Sequence, residues 1–170
     1  MELKLHFRQC SLSDLDRLDV LETASYPEDE AASREKLAFR LTHAAPYFRC
    51  ATTAQNGEEQ VVGFVCGTLA VGQTLTHSSM SQHTPEGSTL CIHSVVVDER
   101  CRGNKVGTRM LKEYMHHVAS HQANVELVLL LCKANLKPFY GSCGFEEVAE
   151  SGVVHGQEKW FEMKHVPRRQ

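Results

Sequence analysis

Leu90 to Val97 is an apolar run that holds three consecutive valines and ends in Asp98-Glu99-Arg100; a basic, glycine-containing turn follows, and then Val106, Met110, Leu111, Tyr114, Met115 and Val118 recur at helical spacing. This predicts a strand, a turn and an amphipathic helix, with Arg109, Lys112, Glu113, His116 and His117 on the side facing water. Upstream, Leu3 to Arg8 alternates apolar and polar residues, as in a strand with one buried face. Ser11 and Asp14 read as the start of a helix lined by Leu15, Leu18 and Leu21 that stops near Tyr26-Pro27. Ser33 caps a second helix, with Leu37, Leu41 and Ala44 on its apolar side. Tyr47–Ala54 and Gln60–Ala70 form a hairpin around Asn56-Gly57.

From Val71 to Ser88 the residues are mostly polar and small, which predicts a surface loop or a short irregular helix. Glu126 to Cys132 is continuously apolar, as in a strand buried on both faces and lying beside the Leu90 strand. A short helix follows around Pro138-Phe139-Tyr140 and ends at Cys143-Gly144; strands at Glu146–Glu150 and Lys159–Lys164 complete the chain. The order β-α-α-β-β-β-α-β-α-β-β gives an α/β (α+β) fold: a mixed central sheet of about seven strands flanked by about four helices.

Composition changes this picture little. The 170 residues, 42% hydrophobic and 23% charged, suit one domain over residues 1–170. A net charge of −3 offers no general attraction to nucleic acid or an anionic membrane, so neither is expected as a partner. Seven cysteines without C-x-x-C pairing, and no long apolar span, point to a reducing, cytoplasmic setting. Ten histidines are present, but no pair has zinc-ligand spacing, and no metal is expected.

The basic turn carries the first candidate chemistry. The opening turn of a helix has N–H groups without intrahelical partners and the positive end of the macrodipole, so it accepts an anion. Arg102 and Lys105 add charge there, and Gly103 and Gly107 allow close approach. This turn resembles the pyrophosphate-binding loop of the GNAT acyl-CoA N-acetyltransferases, Arg/Gln-x-x-Gly-x-Gly/Ala. Arg102 and Gly107 match it, and Lys105 stands where the first glycine is expected.

The likeness extends further. Leu75-Thr76, His83-x-Pro85-x-Gly87, His93-x-Val95-x-Val97, Pro138-Phe139-Tyr140 and Gly144-Phe145 resemble the serotonin (arylalkylamine) N-acetyltransferase family at the same spacings, from about Phe7 to Met163. Cys91 stands where the vertebrate serotonin enzymes carry the first of two histidines, and His93 matches the second. The chain starts at its first strand and has no segments matching the phosphorylated regulatory tails that bind a phosphopeptide-binding adaptor. In this it is similar to the simpler, broader-specificity branch of fungal and other non-vertebrate enzymes.

The resemblance implies an acetyl-CoA-dependent transferase that acetylates a small-molecule amine directly in a ternary complex, and a monomer. His93 would be the base. By residue alone the favoured reading is a hydrogen-bonded, half-buried strand histidine. Tyr140 would protonate the thiolate; its plain alternative is an aromatic packed beside Phe139. Val95, Val96 and Val97 would pair with pantetheine and polarise the thioester carbonyl. Arg102, Gly103, Asn104, Lys105, Val106, Gly107 and Thr108 would hold the pyrophosphate, with Tyr140 also on the cofactor. Tyr26 and Trp160 would wall the amine pocket beside Cys91, or else belong to the core. A polyamine or protein-amine acetyltransferase and a non-catalytic acyl-CoA-binding module are the alternatives.

Overall fold

Seven strands are present in the computed structural model, which describes residues 2–169; Met1 and Gln170 lie outside the described residues. In chain order the elements are β1 (His6–Gln9), α1 (Leu15–Ser25), α2 (Arg34–His43), β2 (Phe48–Gln55), β3 (Glu58–Ala70), α3 (His77–Ser81), β4 (Thr89–Val97), α4 (Val106–His121), β5 (Leu127–Cys132), α5 (Lys137–Ser142), β6 (Glu146–Glu150) and β7 (Phe161–His165). The strands form one sheet in the order β1-β2-β3-β4-β5-β7-β6. β4 and β5 run parallel, whereas β1–β2, β2–β3, β5–β7 and β6–β7 are antiparallel. A mixed sheet is what the element order predicts. The fifth helix is α3, one short turn inside the Val71–Ser88 stretch.

Asn56 and Gly57 take φ of 52° and 80°, two consecutive left-handed residues that give the β2–β3 turn the hand of the strands it joins. β1 begins later than the alternation suggests. Lys4 offers its carbonyl to the Thr53 hydroxyl at 2.9 Å instead of joining the ladder. The last strand likewise starts at Phe161, leaving Lys159 and Trp160 in the preceding loop. Ser11 heads a single 3-10 turn, Leu12–Asp14, and the α-helix proper starts at Leu15.

By their contacts the residues group into two compact units: those up to Cys66 with Ser94–Tyr114, and Gly67–His93 with those from Met115 onward. The first unit is built on the leucine spacing of its two helices. Leu18, Leu21, Leu37 and Leu41 are buried with Phe48, Phe64 and Val96, each contributing on the order of 2 kcal/mol by leaving water. The Ser33 hydroxyl accepts from the Lys36 N–H at 3.2 Å and starts α2, a cap worth about 1 kcal/mol. Tyr114 of α4 is buried and donates its phenol to the Tyr47 carbonyl at 2.8 Å.

In the second unit Thr89–Ile92 of β4 pair with Leu127–Leu130 of β5, and β5 pairs with β7 on its other side. Two polar contacts tie the long loop down. Glu162 accepts from the Leu75 N–H at 2.7 Å, and His83 Nδ1 accepts from the Leu69 N–H at 3.0 Å. His83 is therefore a loop anchor. Among the described residues no helix is long and apolar enough to cross a membrane, and all seven cysteines are free.

Candidate functional site

In the first unit the end of β4 follows strand parity, with Ser94 and Val96 buried and Val95 and Val97 half-buried. Asp98 closes the strand. Its carboxylate receives Arg17 at 2.6 Å and Arg100 at 2.9 Å, and these guanidiniums, Arg100 foremost, hold it far below the ordinary carboxylate range. Asp98 thus fixes the start of the turn as an ionised anchor.

The next residues turn into α4. Gly103 has φ of 87° and Lys105 φ of 57°. Lys105 thus holds a left-handed conformation at the position where the GNAT loop pattern has glycine, at a cost of about 1–2 kcal/mol for a residue with a Cβ. Its carbonyl accepts the Arg109 N–H at 3.0 Å, so the N–H groups of Val106, Gly107 and Thr108 lie in the first helical turn. Asn104 braces the turn by donating to the Cys101 carbonyl at 3.1 Å. Arg102 and Lys105 are exposed. First-turn N–H groups without intrahelical partners, a helix dipole and two cations in one turn suit a polyanion.

Val97 and Arg102 line a cavity of about 240 Å³, whose opposite wall is α1, with Val20, Ala24 and Ser25. Sequence reasoning missed that wall. The available signal was Val20, 58% exposed on a face of α1 that the leucine stripe leaves to water.

Tyr26 ends α1. Its ring packs against the Leu18–Phe64 core, and its hydroxyl lies 3.3 Å from the Val95 carbonyl oxygen and 3.4 Å from the Val95 nitrogen. It donates to the first and accepts from the second. Burial, followed by the charges of Glu22 and Glu30, raises this phenol well above its ordinary pKa. Both glutamates are themselves buried, and Glu22 accepts the Ala32 N–H at 2.9 Å. Glu22 was also missed; a charge one heptad after Leu15 on the apolar side was the visible sign.

In the second unit His93 is half-buried, its Nε2 2.7 Å from the Thr68 hydroxyl, the donor depending on the tautomer. Cys91 is buried, and burial pushes its thiol up to about 12. Tyr140 is buried edge-on between Phe139 (4.9 Å, 72°) and Phe145 (6.0 Å, 76°). Pro138 starts its short helix, and the Cys143 and Phe145 N–H groups return to the Tyr140 carbonyl. Trp160 donates its indole N–H to the His155 carbonyl, with the Lys133 ammonium 5.6 Å from its ring centre. The described residues include no cluster suited to a metal ion.

A family model described as "Acetyltransferase (GNAT) family" matches residues 15–145. The chain belongs to this family. Its GNAT relatives include serotonin N-acetyltransferase of Mesocricetus auratus, 33% identical over 107 residues, which are 63% of this chain and 51% of that protein. Serotonin N-acetyltransferase of Macaca mulatta is 29% identical over 103 residues, 61% of this chain and 50% of that one. The chain spans about half the length of the curated relatives it matches. Among solved structures, the GphF GNAT-like decarboxylase in complex with isobutyryl-CoA superposes with a TM-score of 0.79 at 19% identity, covering 96% of this chain and 100% of that one. Arabidopsis thaliana NAA60 in complex with a bisubstrate analogue gives 0.72 at 16%, covering 97% and 100%. At such identities these structures speak for the GNAT fold alone.

Proposed function

We propose that this GNAT chain is an acetyl-CoA-dependent N-acetyltransferase that acetylates the primary amine of an arylalkylamine by direct transfer in a ternary complex. The observation that carries the reading is the turn between β4 and α4. Gly103 and Lys105 are both left-handed there, ahead of the first-turn N–H groups of Val106, Gly107 and Thr108 and beside the exposed Arg102. Such a turn fits a pyrophosphate, and the adjoining cavity, with Val97 and Val20 on its walls, fits an apolar arm leading away from it. The matches to serotonin N-acetyltransferases favour an arylalkylamine as acceptor.

In this reading acetyl-CoA is the co-substrate, held by the Arg102–Thr108 turn and by the backbone of Val95, Val96 and Val97. His93 relays the amine's proton away, with Thr68 orienting its ring through Nε2. The buried Tyr140 supplies a proton to the departing thiolate. Trp160 serves the amine's ring, Cys91 packs behind His93 on the same strand face, and the protein works as a monomer in the cytoplasm.

Initial rates with acetyl-CoA and, separately, tryptamine, phenylethylamine, spermidine and an amine-bearing peptide test the proposal. Turnover of the two arylalkylamines with intersecting double-reciprocal lines is expected. Preference for spermidine or the peptide would make this a different N-acetyltransferase. Binding of acetyl-CoA with no turnover of any amine would make it an acyl-CoA-binding module.

A further inference from the structure

We infer that Tyr26 is a catalytic residue, its phenol O–H acting with the Val95 N–H as a two-donor cradle for the thioester carbonyl oxygen; this rests on the acetyl-transfer reading above. Three observations meet at one residue, Val95. The ladder with β5 takes in Thr89–Ile92 of β4, and Val95, three residues on, gives its N–H to the Tyr26 hydroxyl at 3.4 Å. The same hydroxyl donates to the Val95 carbonyl at 3.3 Å. Both contacts are longer than the usual range for such bonds, so the hydroxyl is held at the peptide without being committed to it. An acceptor arriving at the Val95 N–H comes within reach of the Tyr26 O–H, which turns from the Val95 carbonyl to the newcomer.

The surroundings keep the phenol a donor. It is half-buried against the core, and desolvation together with Glu22 and Glu30 nearby disfavours a phenolate, so Tyr26 keeps its proton throughout catalysis. Glu22 also receives the Ala32 N–H at 2.9 Å, which fixes the segment that follows Tyr26. A preorganised neutral donor in a water-poor site stabilises charge that develops on oxygen without reorganising when the reaction occurs.

The step balances without further reagents. The amine nitrogen's lone pair forms the C–N bond while the C=O π pair moves onto oxygen, where Val95 N–H and Tyr26 O–H hold the oxyanion. The pair then returns as the C–S bond breaks, sulfur leaving with that bond's electrons and taking up a proton. The nitrogen's proton passes to the base. Tyr26 lends a hydrogen bond and loses no proton.

Tyr26→Phe tests this because it keeps the ring and the core while removing the O–H. The expected result is a kcat lowered by about tenfold to a thousandfold, with the KM values for acetyl-CoA and amine nearly unchanged. The factor should be constant from about pH 6 to 9, since a donor that stays protonated adds no titration. With carbonyl-labelled acetyl-CoA bound in the absence of amine, the infrared C=O stretch should lie lower in the wild type than in Tyr26→Phe. This readout needs no turnover, so it judges Tyr26 even if no amine is acetylated and the acetyl-transfer reading falls. Should Tyr26→Phe fail to fold, 3-fluorotyrosine incorporated at Tyr26 keeps the hydroxyl, and its more acidic phenol should lower the stretch further. An unshifted stretch would overturn the inference, as would an unchanged kcat or a loss confined to the amine KM.

Discussion

A thiol on the same strand face as His93 invites a covalent acetyl-enzyme, but Cys91 is 1% exposed and its pKa is pushed up to about 12 by burial. At pH 7 roughly one Cys91 in a hundred thousand is thiolate. Cys91→Ala is therefore expected to keep acetyl transfer within about threefold while losing on the order of 1 kcal/mol of stability, and wild-type enzyme mixed with acetyl-CoA alone should show no acetyl adduct by mass. An acetylated Cys91 would contradict direct transfer. Single residues differ sharply in how legible they are from sequence. Asn56-Gly57 and Ser33 were readable because turn and cap chemistry is local. The Tyr26 hydroxyl was not, because its partner lies 69 residues away and nothing near Tyr26 encodes that contact.

At the scale of elements, β4, its turn and α4 were legible as a unit, since three valines, a polar break and a helical stripe are each strong patterns. What sequence could not give was the backbone of Lys105. A lysine in place of the loop glycine reads as a weakened motif, yet Lys105 adopts the glycine conformation with φ of 57°. Lys105→Gly separates the two consequences. Relief of the left-handed penalty, partly offset by glycine's greater freedom when unfolded, should raise Tm by about 2–3 °C, while loss of the ammonium should raise the acetyl-CoA KM. A lower Tm would show that Lys105 makes contacts outweighing its strain. Arg102→Glu, on an exposed side chain, should leave Tm nearly unchanged and raise the acetyl-CoA KM by about tenfold or more, an effect that weakens with added salt. An unchanged KM would remove the turn from the pyrophosphate. The ends of β1 and β7 were misjudged for a common reason: alternation marks a strand-like stretch, but a neighbour decides where the ladder stops. Lys4 instead meets the Thr53 hydroxyl, and Trp160 the His155 carbonyl.

For the whole molecule, the order of elements together with the GNAT resemblance led to the mixed seven-stranded sheet, in which the helix between β4 and β5 provides the crossover that a parallel pair needs. The cavity was hidden, since its α1 wall is made by residues that read as a water-facing surface. A fold that includes a GNAT-like decarboxylase among its structural neighbours does not name a substrate. The central claim concerns the acceptor, and the most direct measurement is a competition. Wild-type protein with limiting acetyl-CoA and equal concentrations of tryptamine, spermidine and an amine-bearing peptide should yield acetyltryptamine as the dominant product by mass spectrometry. Dominant acetylspermidine or acetylated peptide, or acetyl-CoA consumed without any acetylated amine, would contradict it.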